Sequence, residues 1–236
     1  MLWCPIQMRK SYIMKFTHIN PYDIKPLDST TQADGQRYYL TPEGKKYPSV
    51  TTVAGIFAKD GIIKWRKRVG EEEANKISTQ ASTRGTAVHK VCEDYINNVE
   101  DYTKNHMPSN IQSFNDLKPL IDSNINNVVM QECQMYSDYL RVAGTVDCIA
   151  EYDGTLSVID FKTSRKPKKK EWIDSYFMQT AAYAVMFEEM TKTPINQLVI
   201  MITVDGSEPQ VFTERRDSWI WKFVDARSEF ERRYNA

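Results

Sequence analysis

Residues 143–164 read AGTVDCIAEYDGTLSVIDFKTS, two runs of apolar and β-branched residues divided by Asp153-Gly154. Asp-Gly between such runs is a strong signal for a two-residue turn, because both central positions need backbone conformations that these residues tolerate. The spacing predicts strands over Ala143–Tyr152 and Thr155–Lys162 closing a hairpin. Tyr152 then faces Thr155, Ile149 faces Val158, Asp147 faces Asp160 and Thr145 faces Lys162. Opposed residues share a sheet face with Cβ atoms about 4.5–5.5 Å apart. Two carboxylates are therefore expected side by side, with Lys162 two residues along on the same face. Directly opposed like charges destabilise a sheet, and close carboxylates resist joint ionisation. A divalent cation between them would remove the repulsion, and hard oxygen ligands select magnesium or manganese over zinc. A D-x-K tripeptide alone is equally an ordinary surface ion pair; the register is what raises the chemical reading to even terms with it.

The pattern on either side places the hairpin in a mixed α/β order. The first 50 residues, rich in Pro, Tyr and Thr, read as short strands and turns ending at Tyr47-Pro48-Ser49-Val50-Thr51-Thr52. A helical pattern follows, in which Val88, Val91, Cys92, Tyr95, Ile96 and Val99 share one face and Ser82 or Thr83 is available as a cap. Another helix is expected over 111–129, interrupted at Pro119, and strand periodicity from Val128. After the hairpin come a helix over Lys170–Met190, strands Gln197–Val204 and Gln210–Thr213 around Asp205-Gly206, and an amphipathic helix over Asp217–Tyr234. The division expected is an N-terminal strand, turn and helical region over 1–127 and a core over 128–236, integrated as one domain.

Composition narrows the function. In 236 residues, 31 Lys+Arg balance 31 Asp+Glu, so overall basicity does not drive nucleic-acid binding. The longest strongly apolar stretch, Leu198–Val204, is far too short to span a bilayer, and no membrane role is expected. Cys4, Cys92, Cys133 and Cys148 form no CxxC pair, and His18, His89 and His106 are dispersed, so neither a zinc ribbon nor a disulfide framework is indicated. Arg9, Lys10 and Lys15 precede the first acidic residue, Asp23, in a segment somewhat like a transit peptide but poorer in Arg and Ser, and Met14 is an alternative start. An intracellular, cytoplasmic protein is expected, with the mitochondrial matrix as the alternative.

Gly144-Thr145-Val146-Asp147, Ile159-Asp160-Phe161-Lys162-Thr163-Ser164 and Gln179-Thr180-Ala181-Ala182-Tyr183 resemble the motifs of the PD-(D/E)XK nuclease superfamily. More narrowly they are similar to the G-x-x-D, D-x-K-T and Q-x-x-x-Y motifs of RecB-like exonucleases. Arg84-Gly85-Thr86-Ala87-Val88-His89 is similar to the helix that carries a metal-binding histidine in that group. Pro48-Ser49-Val50-Thr51-Thr52 with the Trp65-Arg66 segment resembles the mitochondrial genome maintenance exonucleases and their phage relatives. The resemblance implies a restriction-endonuclease-like core, a mixed central sheet flanked by helices, with an N-terminal helical elaboration that helps form a passage for single-stranded DNA.

It also implies roles. Asp147, Asp160, the Phe161 carbonyl and His89 would hold one or two Mg2+ or Mn2+ ions. Lys162 would orient or activate water and stabilise charge on phosphate, and Gln179 and Tyr183, one helical turn apart, would support the site. His89 is otherwise a partly buried structural histidine; Glu93, a turn later, binds metal or orients His89; and Glu132 is a further acidic candidate. An iron–sulfur cluster of the kind found in some relatives is not expected, since no cysteine follows Cys148.

Two basic and aromatic stretches are candidate DNA contacts. These are Lys64, Trp65 and Arg66, and the run Arg165, Lys166, Lys168, Lys169 and Lys170 beside Trp172. Such a run is also the ordinary composition of a solvated loop. Arg84 and Thr86, read as lying near a helix start, would add phosphate contacts. The resulting expectation is a metal-dependent exonuclease acting on single-stranded DNA ends, phage-encoded and working beside replication or recombination proteins. An endonuclease on the same fold and a weakly active DNA-binding partner of a helicase are the alternatives. No GxxxxGK[ST] motif is present, so unwinding would need another chain.

Overall fold

A computed structural model describes residues 16–32 and 35–234. Cys4, Met14 and the basic residues Arg9, Lys10 and Lys15 lie outside the described residues.

The first elements among the described residues are three short antiparallel strands, β1 (Asp28–Thr31), β2 (Arg37–Leu40) and β3 (Lys46–Pro48). Strand character was expected to continue to Thr52, but helix α1 (Val50–Ala54) begins there instead. The Ser49 side chain accepts from the Thr52 N–H at 3.1 Å, and this cap outweighs the β-preference of Val-Thr-Thr-Val. Helices α2 (Lys59–Val69), α3 (Glu71–Ile96) and α4 (Pro108–Asn124) follow. The last five residues of the helix expected over 111–129 belong to strand. Pro119 lies inside α4 without interrupting it, and at the helix end Ser123 Oγ and Asn124 Nδ2 donate to the carbonyls of Pro119 and Leu120.

The main sheet is ordered β4-β5-β6-β7-β8, from β4 (Ile125–Ser137), β5 (Val142–Tyr152), β6 (Thr155–Ser164), β7 (Gln197–Val204) and β8 (Ser207–Arg215). The division expected between 127 and 128 falls within β4. Only β6 and β7 run parallel, joined through α5 (Asp174–Thr191); the other neighbours are antiparallel. Helix α6 (Ile220–Tyr234) closes the chain.

Side-chain alternation along β7 sets the layers. Leu198, Ile200, Ile202 and Val204 pack with Phe177, Phe187, Phe223 and Phe230 under α1, α5 and α6. Val199 and Met201 face the other way, toward Val88, Val91, Phe114 and Leu117 of α3 and α4. Both sheet faces are thus covered, which is why β7 reads as a continuous apolar run. Val99, expected on the buried face of α3, lies beyond its end and is exposed. Among the described residues no helix is long and apolar enough to cross a membrane.

Candidate active site

The β5–β6 hairpin has the register expected from Asp153-Gly154, with Tyr152 opposite Thr155, Ile149 opposite Val158 and Cys148 opposite Ile159. Beyond Cys148 the two strands separate. Asp147 and Asp160 are therefore not a ladder pair, nor are Thr145 and Lys162, while on its other side β5 stays paired with β4, Thr145 opposite Gln134. In place of the next ladder bond, the Phe161 N–H donates to Asp147 Oδ2 at 2.9 Å. The aspartate side chain caps the opening of its own hairpin.

Three elements converge on that opening. His89 of α3 brings Nδ1 to 3.3 Å from Asp147 Oδ2. Asp160, buried, accepts from Gln179 Nε2 of α5 at 2.9 Å through Oδ1, while Oδ2 lies 2.5 Å from Lys162 Nζ. That second oxygen has a cationic neighbour but no donor in hydrogen-bonding geometry. Lys162 also lies over the Tyr176 ring, 5.3 Å from its centroid. Tyr183 is buried and presses on Gly144, where a Cβ would come within 2.9 Å of its hydroxyl. Gly144 is thus required by close approach, not by backbone conformation.

Glu132 completes the group from β4. Its backbone is left-handed, with φ at +46°, between the paired residues Gln131 and Cys133. That conformation is rare for a non-glycine residue and is found where a site demands it. One ligand atom each from His89, Glu132 and Asp147 lies within 4.8 Å of the others. Glu93 does not join them; its carboxylate takes Lys90 Nζ at 3.1 Å.

The electrostatics follow from crowding acids at a partly dry site. Burial raises the Asp160 carboxyl to about 6, with Asp147 adding to the rise and Lys162 opposing it. Loss of solvent and the nearby Asp147 and Glu93 push Glu132 up to about 7, although much of its surface is open. Burial pulls the Lys162 ammonium down, but Asp160 and Asp147 outweigh it and the net direction is upward. Lys162 is therefore held as a cation, suited to stabilising negative charge and not to accepting a proton. Desolvation raises the Tyr183 phenol well above its ordinary range, which keeps it neutral. The donor set, an imidazole and carboxylates with one incompletely satisfied buried oxygen, fits a hard divalent cation.

A cleft of roughly 740 Å3 begins at Thr163 and Ser164, where β6 continues past Lys162, and runs between the basic loop and helices α3 and α4. Arg84, Arg165 and Lys168 line it; Gln80, Ser113 and Asp205 also do so, of which the sequence marked only Asp205, and that as a turn residue. The basic run divides at this point. Lys169 lies over the exposed Trp172 ring and Lys170 pairs with Glu214, so neither lines the cleft. Lys64, Trp65 and Arg66 sit on α2, where Arg66 bonds Glu71 and Asn75. Arg84 and Thr86 are not near a helix start, because α3 runs unbroken from Glu71 and Ser82 and Thr83 are interior to it. Any phosphate contact they make is by side chain.

Residues 120–212 match the PD-(D/E)XK nuclease superfamily, a span holding Asp147, Asp160, Lys162, Gln179 and Tyr183. The chain is 29% identical over 176 residues to human mitochondrial genome maintenance exonuclease 1, covering 68% of this chain and 50% of that one. The Xenopus tropicalis counterpart is 28% identical over 155 residues, 62% of this chain and 44% of its own. The chain thus spans half the length of these curated relatives or less. A solved structure from Eubacterium rectale superposes with a TM-score of 0.45 at 12% identity, over 63% of this chain and 65% of its own, too distant to carry an argument. The D-x-K hairpin, the glutamine and tyrosine on the following helix and the five-stranded mixed sheet flanked by helices agree with the PD-(D/E)XK nuclease match over residues 120–212.

Proposed function

We propose that the protein is a divalent-metal-dependent exonuclease that hydrolyses phosphodiester bonds at single-stranded DNA ends. The observation that carries this reading is the convergence of Asp147, Asp160 and Lys162 with His89 and Glu132; the next residues of β6, Thr163 and Ser164, line a cleft that Arg84, Arg165 and Lys168 also line. Asp147 and Asp160 would hold Mg2+ or Mn2+, with His89, Glu132 and the Phe161 carbonyl as further ligands. Such an ion supplies a water of lowered pKa and a counter-charge for phosphate.

The chain's own residues do the rest. Gln179 fixes the Asp160 carboxylate through one oxygen and leaves the other facing Lys162. Lys162, kept protonated by its acidic neighbours, places positive charge where a phosphoryl oxygen gains negative charge during attack. Tyr183 holds α5 against β5 and thereby positions Gln179. Side chains of Arg84, Arg165 and Lys168 line the strand's path, with Lys169, Lys170, Thr86, Trp172 and the α2 residues Lys64, Trp65 and Arg66 farther out as backbone and stacking contacts. Partners among replication or recombination proteins, a phage origin, and a cytoplasmic setting (or a mitochondrial one, as in the relatives' name) belong to the same reading.

The test is a cleavage assay with Mg2+ or Mn2+ on end-labelled linear single strands, duplex and closed circular single strands, beside Lys162→Ala. Cleavage of linear strands only, lost in the variant, is expected. Cutting of circles would establish an endonuclease instead, and absence of metal-dependent cutting on every substrate would overturn the reading.

A further inference from the structure

The cleft contains one element that opposes an anionic ligand. Asp205, on the β7–β8 turn, lines a space whose other charged lining residues are Arg84, Arg165, Lys166 and Lys168. Its position is built and not incidental. Its N–H donates to the Ser164 carbonyl at 3.0 Å, which ties the turn to the end of the strand carrying Lys162. Its carboxylate takes both terminal nitrogens of Arg84, Nη1 donating to Oδ2 at 2.9 Å. Arg84 Nη2 also donates to Ser113 Oγ of α4 at 3.1 Å. The guanidinium therefore bridges α3, α4 and the sheet across the cleft. Beyond it lies a second cavity of roughly 540 Å3, whose lining shares Gln80, Arg84 and Ser109 with the first.

A guanidinium fork matches carboxylate and phosphate equally well. The Asp205 side chain is about half exposed, so water can take over its carboxylate when Arg84 is handed to a phosphate. We infer that Asp205 is an internal phosphate mimic: it holds Arg84 in position in the free protein and yields it to a backbone phosphate of the bound strand. This rests on the nuclease reading and adds to it a specificity element. A ligand that displaces the carboxylate engages Arg84 where the two cavities share their lining, and the exchange lowers both affinity and salt sensitivity at that position. Where a lone arginine would neutralise a phosphate and release its counterion, an arginine that leaves a carboxylate exposed produces no net release.

The experiment is the salt dependence of binding of a fluorescently labelled single-stranded oligonucleotide, with divalent ions chelated so that the strand stays intact. Asp205→Asn and Asp205→Ser, two neutral variants that both keep the backbone bond to Ser164, should bind about two- to fivefold tighter at moderate salt. Their plots of log affinity against log salt should steepen by about 0.7. Adding Arg84→Gln to either should return the slope to that of the parent, and Asp205→Glu should keep the parental slope throughout. Melting curves identify any variant that has not folded, and the second neutral substitution then decides. Unchanged affinity and slope in a folded neutral variant, with the parent binding normally, would overturn the exchange and leave the nuclease reading standing. Failure of the parent protein itself to bind single strands at low salt would overturn both.

Discussion

Lys162 and Asp160 form a buried pair whose two members depend on each other unequally. Lys162 loses some solvation but gains two acidic neighbours, whereas Asp160 is nearly inaccessible and already raised to about 6 with the lysine present. Removing Lys162 leaves a buried carboxylate without its counter-charge, a change that costs up to about 3–5 kcal/mol if the group stays ionised. The carboxyl instead takes up a proton where pH allows. Because its folded pKa lies above the ordinary 3.8, the folded state binds more protons than the unfolded one, and stability falls as pH rises between those values. Lys162→Ala should therefore melt close to the parent near pH 5 and well below it near pH 8; equal deficits at both would show that Asp160 is not the group exposed to the loss. Glu132 makes the converse case in metal-free buffer. Its carboxyl, raised from 4.5 to about 7, imposes a penalty absent below the lower value and complete above the upper one. Glu132→Gln should match the parent melting temperature at pH 4 and exceed it at pH 8, and a gain independent of pH would assign the effect to the strained backbone instead. Counting from the two-residue turn gave the hairpin register as far as Cys148 opposite Ile159, and it put Asp160 and Lys162 on one face of their strand, but it also put Asp147 directly opposite Asp160, which the ladder does not do. The left-handed backbone that aims Glu132, and the separation of the strands beyond Cys148, arise from tertiary packing that no local pattern encodes.

The elements carry the site by contact at single points. Helix α5 meets β5 where Gly144 has no side chain and Tyr183 fills the space. A methyl group there would lie 2.9 Å from the phenolic oxygen and 3.1 Å from Cε1, both too close for unstrained packing. Overpacking of this kind costs about 1–3 kcal/mol. Since Gln179 lies one turn before Tyr183, a displaced tyrosine also shifts the group that holds Asp160. Gly144→Ala should accordingly lose both melting temperature and cleavage rate. Adding Tyr183→Phe removes the oxygen that makes the shortest contact and should recover part of each. If the double variant is no better than the sum of the two single losses, the approach of α5 to Gly144 is not what the glycine provides. Element identity was readable where an apolar run is bounded by turn residues, as in β7, which ends at Asp205-Gly206. It failed at Val50-Thr51-Thr52, where one serine cap decides the state, and at α3, whose start at Glu71 precedes the plausible caps Ser82 and Thr83 by more than two turns.

At the scale of the molecule, the site lies where the layers are joined by polar groups and not by apolar packing. His89 comes from the layer on one sheet face, Gln179 from the layer on the other, and Glu132, Asp147, Asp160 and Lys162 from the sheet between them. Four acidic or imidazole groups gathered there oppose the hydrophobic closure of the two faces, so a cation that binds the folded arrangement and not the unfolded chain must stabilise the whole protein. Stabilisation follows the logarithm of ligand concentration over its dissociation constant, about 2.7 kcal/mol at a hundredfold excess. In a chain of this size that corresponds to a rise of about 5–10 °C in melting temperature. The rise should depend on pH in a defined sense. Protons occupy Asp160 below about 6 and Glu132 below about 7, and each must leave before its oxygens can serve a metal. Mg2+ or Mn2+ titrations followed by thermal melting should thus give a large shift at pH 8, a smaller one at pH 5.5, and almost none at either pH in Asp147→Asn. A shift of equal size in Asp147→Asn would place the ion elsewhere on the molecule, and a flat titration in the parent at pH 8 would show that this cluster binds no divalent cation.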